Sequence, residues 1–223
     1  MCLRAGVNDA KAHELYGTGF VVDNGSYIIT ALHVVKEHKS IKISRPNNKG
    51  WEIVDLVDSD NNIDVALLKS KIRRPPIALE NWVDVMPGSD VFVIGYPEPL
   101  LLGFAPKITA GMFNGERELN GVSNVFQMSA QIQNGSSGSP VINCKGNVVG
   151  MFKFRADSDL WHQKRQEAPQ NINLALKSSL LRQFLVHSLG VTESLPHFQR
   201  QCVRADRIFE PYLASVVVVN NDH

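Results

Sequence analysis

Three short stretches hold residue types that could act together on an acyl group. Thr30-Ala31-Leu32-His33-Val34-Val35 supplies an imidazole. Asn61-Asn62-Ile63-Asp64-Val65-Ala66-Leu67-Leu68-Lys69 supplies a carboxylate, and Gln133-Asn134-Gly135-Ser136-Ser137-Gly138-Ser139-Pro140 a run of hydroxyls among glycines. A serine hydroxyl is a poor nucleophile at neutral pH, so a neighbouring imidazole must take its proton during attack and return it to the leaving group. A carboxylate on the far ring nitrogen fixes the tautomer and stabilises the imidazolium. Glycines around Ser137 let the backbone turn tightly, aiming amide N–H groups at a developing oxyanion; Gly135 and Ser137 are the candidate donors, with Ser136 a third. Taken alone, His33 reads as a buried histidine after a strand and Asp64 as a turn cap, and Ser136 and Ser139 compete with Ser137 as nucleophile.

His33 and Asp64 lie 31 residues apart, and Asp64 and Ser137 lie 73 apart, so distant elements must bring them together. The dominant pattern is short β-rich runs broken by turn residues: 17–23, 26–35, 40–44, 51–57, 63–68, 91–95, 107–113, 125–129, 140–143 and 147–154. Strands of this length, with turns about every 8–12 residues, predict an all-β sandwich or barrel pair. One helix is expected at Ser178–Leu189, where Leu180, Leu181, Phe184, Leu185 and Leu189 fall near helical spacing and Gly190 closes the run. Ser70–Pro76 and Arg155–Asn171 read as solvent-exposed loops, the basic cluster Lys69–Arg74 included. Ala214–Val219 reads as a strand with no assignable place.

Composition narrows the partners. The chain has 223 residues, 43% hydrophobic and 20% charged, with a net charge of +1, so it is globular and does not advertise nucleic acid or an anionic membrane as its partner. No apolar run is long enough for a membrane span, and the N-terminal stretch has no apolar leader. The three cysteines, Cys2, Cys144 and Cys202, are odd in number and widely spaced, which argues against a zinc site or a disulfide framework. Cys144 reads as a strand-end packing residue. The simplest compartment is the reducing cytoplasm, with a mature secreted form not excluded. No metal or organic cofactor is implied.

The motifs resemble the trypsin-like, chymotrypsin-fold serine proteases, and most closely the HtrA-type protease domain. Gly17-Thr18-Gly19-Phe20, Ile28-Ile29-Thr30-Ala31-Leu32-His33-Val34-Val35, Asp64-Val65-Ala66-Leu67-Leu68-Lys69 and Val93-Ile94-Gly95-Tyr96-Pro97 carry the first part of the likeness. Ile108-Thr109-Ala110-Gly111, Gly135-Ser136-Ser137-Gly138-Ser139-Pro140, Gly146-Asn147-Val148-Val149-Gly150-Met151 and Ile172-Asn173-Leu174-Ala175-Leu176 carry the rest, in the family's order. Ser136 and Ser139 stand where Asn and Gly are commoner, and the Ile-Val-Gly-Gly start of cleaved zymogens is absent.

The resemblance implies two six-stranded antiparallel β-barrels with a C-terminal helix. The expected organisation is an N-terminal extension at 1–16, a first barrel at 17–84, a second barrel with the helix at 85–190, and a C-terminal extension at 191–223. It implies a serine endopeptidase with His33, Asp64 and Ser137 as triad. Ile132 and Leu174 to Leu176 would line the pocket for the residue before the scissile bond, with Gln131 at its base. That neutral, apolar pocket would take a small or medium aliphatic side chain. Lys153, Phe154 and Arg155 would offer the strand edge that holds the peptide. Narrow specificity or activation by a protein partner or homo-oligomer is expected. A protease-fold binding module with little turnover and a virus-encoded processing protease are the alternatives. The apolar loop Pro97–Pro106 is a candidate subunit contact, substrate lip or activation loop.

Overall fold

The computed structural model describes residues 15–36, 40–44, 50–80, 82, 85–119, 122–155, 173–190 and 201–222. The first barrel takes β1 (Leu15–Val22), β2 (Tyr27–Ala31), β3 (Ser40–Ser44), β4 (Trp51–Asp60) and β5 (Val65–Lys69). Its sixth strand comes from the far end of the chain. The second barrel takes β6 (Asp90–Gly95), β7 (Lys107–Leu119), β8 (Val122–Met128), β9 (Pro140–Asn143), β10 (Val148–Arg155) and β11 (Asn173–Lys177). The sixth strand of the first barrel is β12 (Val216–Asp222), and the closed orders are β1-β12-β3-β4-β5-β2 and β10-β11-β8-β7-β6-β9. The strand pairs are antiparallel. Among the described residues the helices are α1 (Leu32–Val35), α2 (Pro99–Leu102), α3 (Ser178–Leu189) and α4 (Ala205–Tyr212). The expected pair of barrels and the expected helix, closed by Gly190 in the left-handed conformation, are both present.

Three expectations need correction. The expected C-terminal extension supplies a barrel strand: β12 inserts between β1 and β3, with Thr18 opposite Val218 and Val219 opposite Ile43. Val216, Val217, Val218 and Val219 are all buried. A strand covered on both faces needs apolar residues at every position, which is why this run shows no alternation. Cys144 and Cys202 are joined in a disulfide, although they stand 58 positions apart, because α4 and its lead-in are bonded to the turn between β9 and β10. Val203 N–H donates to Cys144 O (2.8 Å) and Tyr212 O–H to Gly146 O (2.7 Å). The pairing removes the cysteine argument for a reducing compartment.

The third correction concerns the loop after β5. Ser70 and Arg74 are buried, not solvated. Glu52, also buried, accepts from Ser70 Oγ (2.9 Å), Lys71 N–H (2.7 Å) and Arg74 Nη2 (3.3 Å). A buried carboxylate is tolerated because the cation and these donors replace its water. The chain then runs through buried Ile77, Ala78 and Leu79 into the second barrel. Ile77 N–H donates to Val21 O (2.9 Å) and Val148 N–H to Ala78 O (2.8 Å), so this connector is bonded to both barrels. The expected loop at 155–171 lies outside the described residues beyond Arg155.

Candidate active site

His33 sits on α1, which begins where β2 ends. Leu32, Val34 and Val35 are buried, so His33 is the residue of that turn left facing outward, with 43% of its side chain exposed. Asp64 ends the turn before β5 and has φ 59°, a left-handed conformation uncommon for residues other than glycine. That turn is held from both sides: Leu32 N–H donates to Asp64 O (3.1 Å), and His33 N–H donates to Asp64 Oδ1 (2.9 Å). The other carboxylate oxygen, Oδ2, lies 2.8 Å from His33 Nδ1. An ionised carboxylate can only accept, so Nδ1 carries the proton and Nε2 keeps a free lone pair.

Ser137 lies in the second of two tight turns, in which Gly135 has φ 85° and Gly138 φ 86°. A Cβ on Gly138 would collide with the Thr18 carbonyl of β1, so only glycine fits there. Thr18 N–H donates to Ser137 O (2.8 Å), Gly138 N–H to Phe152 O (2.9 Å) and Ser139 N–H to Ser136 O (2.9 Å). The loop of the second barrel is thereby fastened to β1, the neighbour of the strand that leads into α1 and His33. Ser136 N–H donates to Gln133 O (3.2 Å), which takes it out of the candidate oxyanion donors. Among the described residues, the N–H groups of Gly135 and Ser137 have no intramolecular acceptor.

The loop is braced from behind by the apolar segment singled out in the sequence. It carries α2, whose Leu100 and Leu101 are exposed while Pro99 is buried. Glu98, in a left-handed conformation (φ 41°), donates its N–H to Asn134 O (2.7 Å).

The expected substrate pocket is rearranged. Ile132 packs inside the second barrel with Phe152 and Ala175. Leu176 belongs to the other apolar cluster, which runs between the barrels to α3. Successive residues of a strand face opposite sides, so Leu174 turns with Leu176 and away from Ile132. Asn173 and Ala175 share the Ile132 side, and Asn173 Nδ2 donates to Ala130 O (2.7 Å). The period of two could have shown this in the sequence once Ala175 was placed. Gln131 is exposed and lines, with Ile132, Gln133, Ser136 and Lys107, a small pocket of about 90 Å³. The β9 ladder on β10 ends at Met151, while β10 continues to Arg155 against β11, so the 153–155 stretch is paired on the β11 side.

Two closed six-stranded barrels, with a His–carboxylate pair on one and a glycine-flanked serine of the other bonded beside it, make a chymotrypsin-like fold. The chain belongs to the trypsin-like peptidase family, whose model (trypsin-like peptidase domain) matches residues 17–151. It is 31% identical over 176 residues to the uncharacterized protein y4bJ of Sinorhizobium fredii, covering 79% of this chain and 28% of that protein. It is 29% identical to the serine protease HTRA1A of Danio rerio, covering 77% of this chain and 34% of that one. The chain thus spans about a third of these curated relatives. Among solved structures, the serine endoprotease from Yersinia pestis superposes with a TM-score of 0.62 at 25% identity, covering 78% of this chain and 57% of that one.

Proposed function

We propose that this chain is a serine endopeptidase domain working through His33, Asp64 and Ser137. The observation that carries the reading is the 2.8 Å contact of His33 Nδ1 with Asp64 Oδ2, on the barrel to which the Ser137 loop is bonded. His33 Nε2 takes the proton as Ser137 Oγ attacks the peptide carbonyl, then gives it to the leaving amine. The N–H groups of Gly135 and Ser137 receive the carbonyl oxygen as it becomes negative, and water then hydrolyses the acyl-enzyme. The Asp64 carboxylate keeps the imidazole in the required tautomer throughout.

The side chain before the scissile bond is small or medium and aliphatic in this reading, because the expected pocket has Gln131 rather than an acid at its base and apolar residues such as Ile132 behind it. The substrate backbone adds to β10 at Lys153 to Arg155. Activity is narrow or set by a partner: the loop before Ser137 is held by Glu98, on a segment that takes no part in the chemistry.

A fluorescent fluorophosphonate probe tests the chemistry. The wild-type protein labels, and Ser137→Ala and His33→Ala do not. Folded wild-type protein that resists the probe would count against an assembled triad. Rapid digestion of casein by the isolated chain would count against narrow or triggered activity.

A further inference from the structure

Thr18 is fully buried in β1, and all its polar groups are engaged around the loop that carries the nucleophile. Its N–H donates to Ser137 O (2.8 Å), and its carbonyl accepts from Thr30 Oγ1 (2.8 Å). Its hydroxyl lies 3.1 Å from Tyr96 N and 2.8 Å from Gly135 O. A backbone N–H can only donate, so the hydroxyl accepts from Tyr96 and has its one hydrogen left for Gly135 O. The direction of this bond follows from the chemistry of its neighbours.

Gly135 most needs such a restraint. It carries one of the two unengaged N–H groups, and glycine rotates about its backbone bonds with little steric penalty. A turned peptide would point a carbonyl where the oxyanion must bind. Because peptide units are planar, two bonds define the local backbone: Glu98 N–H on Asn134 O before Gly135, and Thr18 Oγ1 on Gly135 O after it. The first comes from the second barrel and the second from the first. We infer that Thr18 is a positioning residue for the reaction: its hydroxyl locks the Gly135–Ser136 peptide, the unit between the two donor N–H groups, so that both donors face the nucleophile. The same hydroxyl makes their alignment depend on correct docking of the two barrels.

This inference rests on the endopeptidase reading, and the test separates the two. Wild type, T18V, T18S and S137A are titrated with a fluorophosphonate, and the maximal inactivation rate is separated from the probe's dissociation constant. T18V keeps the shape and loses the hydroxyl; T18S keeps the hydroxyl and loses a methyl. The expected result is a maximal rate about 10- to 100-fold lower in T18V, with dissociation constant within about twofold of wild type and T18S restored to near the wild-type rate. A purely packing role reverses the order of the two variants. Wild-type rates in folded T18V, or a loss in folded T18S as deep as that in T18V, overturn the proposal. If near-ultraviolet circular dichroism shows that T18V does not fold, T18S decides: near-wild-type labelling supports the hydroxyl, and a loss above tenfold rejects it. A wild type as silent as S137A rejects the endopeptidase reading and this inference together.

Discussion

Asp64 bonds His33 twice, through the backbone N–H to Oδ1 and the ring Nδ1 to Oδ2, so the carboxylate orients both the turn of α1 and the imidazole. An amide at that position keeps the shape but offers a donor where an acceptor is required, which favours the wrong histidine tautomer. Asp64→Asn is therefore expected to fold with an unchanged far-ultraviolet spectrum and to react with the fluorophosphonate about 10⁴-fold more slowly at neutral pH. A loss below tenfold would mean that Asp64 does not govern the His33 tautomer. The triad candidates were legible because residue type and local motif identify them. The Ile132 partners were misread because pocket lining depends on which way a strand side chain faces, and a one-position change of register inverts it.

Among the elements, β12 has the largest consequence for its length. It pairs with β1 over six residues and with β3 over four, so its removal opens two edges in the barrel that carries His33 and Asp64. Each of its buried valines contributes roughly 1.5–3 kcal/mol of burial. A chain ending at Leu213 is expected to lose cooperative unfolding and all Ser137 labelling, although the deleted strand contains none of the proposed catalytic residues. Full labelling of that truncated chain would show that the barrel closes without β12. The disulfide anchors the approach to this strand. Opening its loop by Cys202→Ser is expected to lower the unfolding free energy by roughly 2–4 kcal/mol in denaturant titrations, because the 58-residue separation no longer restricts the unfolded chain.

At the scale of the molecule, the barrels meet across a shared apolar cluster and a few buried polar groups, and Tyr96 is one of these that titrates. Its N–H bonds Thr18 Oγ1, and its O–H donates to Val216 O of β12 (3.2 Å). Burial pushes its phenol up to about 12, opposed by hydrogen bonding to Ser44 and by the Arg74 charge. Burial also raises Tyr212 on α4. An unfolded tyrosine ionises near 10, so above that pH the unfolded state releases protons first. The stability from Tyr96 is complete below about pH 10 and is lost as pH climbs toward about 12. Thermal midpoints measured from pH 8 to 12 should fall steeply across that window, and Tyr96→Phe should make the fall shallower. An equal slope in the variant would remove Tyr96 from the alkaline transition.

The sequence by itself determined the local features: strands from runs of β-branched residues and turn signals, the α3 helix from its 3.6 period, and the triad candidates from their motifs. These depend on neighbours within a few positions. The tertiary structure decided what depends on residues far apart in the chain. Ala214–Val219 has strand composition, but only barrel closure puts it between β1 and β3. Arg74 looks like a solvated cation until Glu52, on another strand, takes it into the core. Cys144 and Cys202 look unpaired until the lead-in to α4 is bonded to the turn between β9 and β10. Thr18 is one small residue in a glycine-rich strand, and its place beside Gly135 exists only because two barrels dock there. Hydrogen bonds and packing contacts act over a few ångströms in space, and separation along the chain does not report that distance.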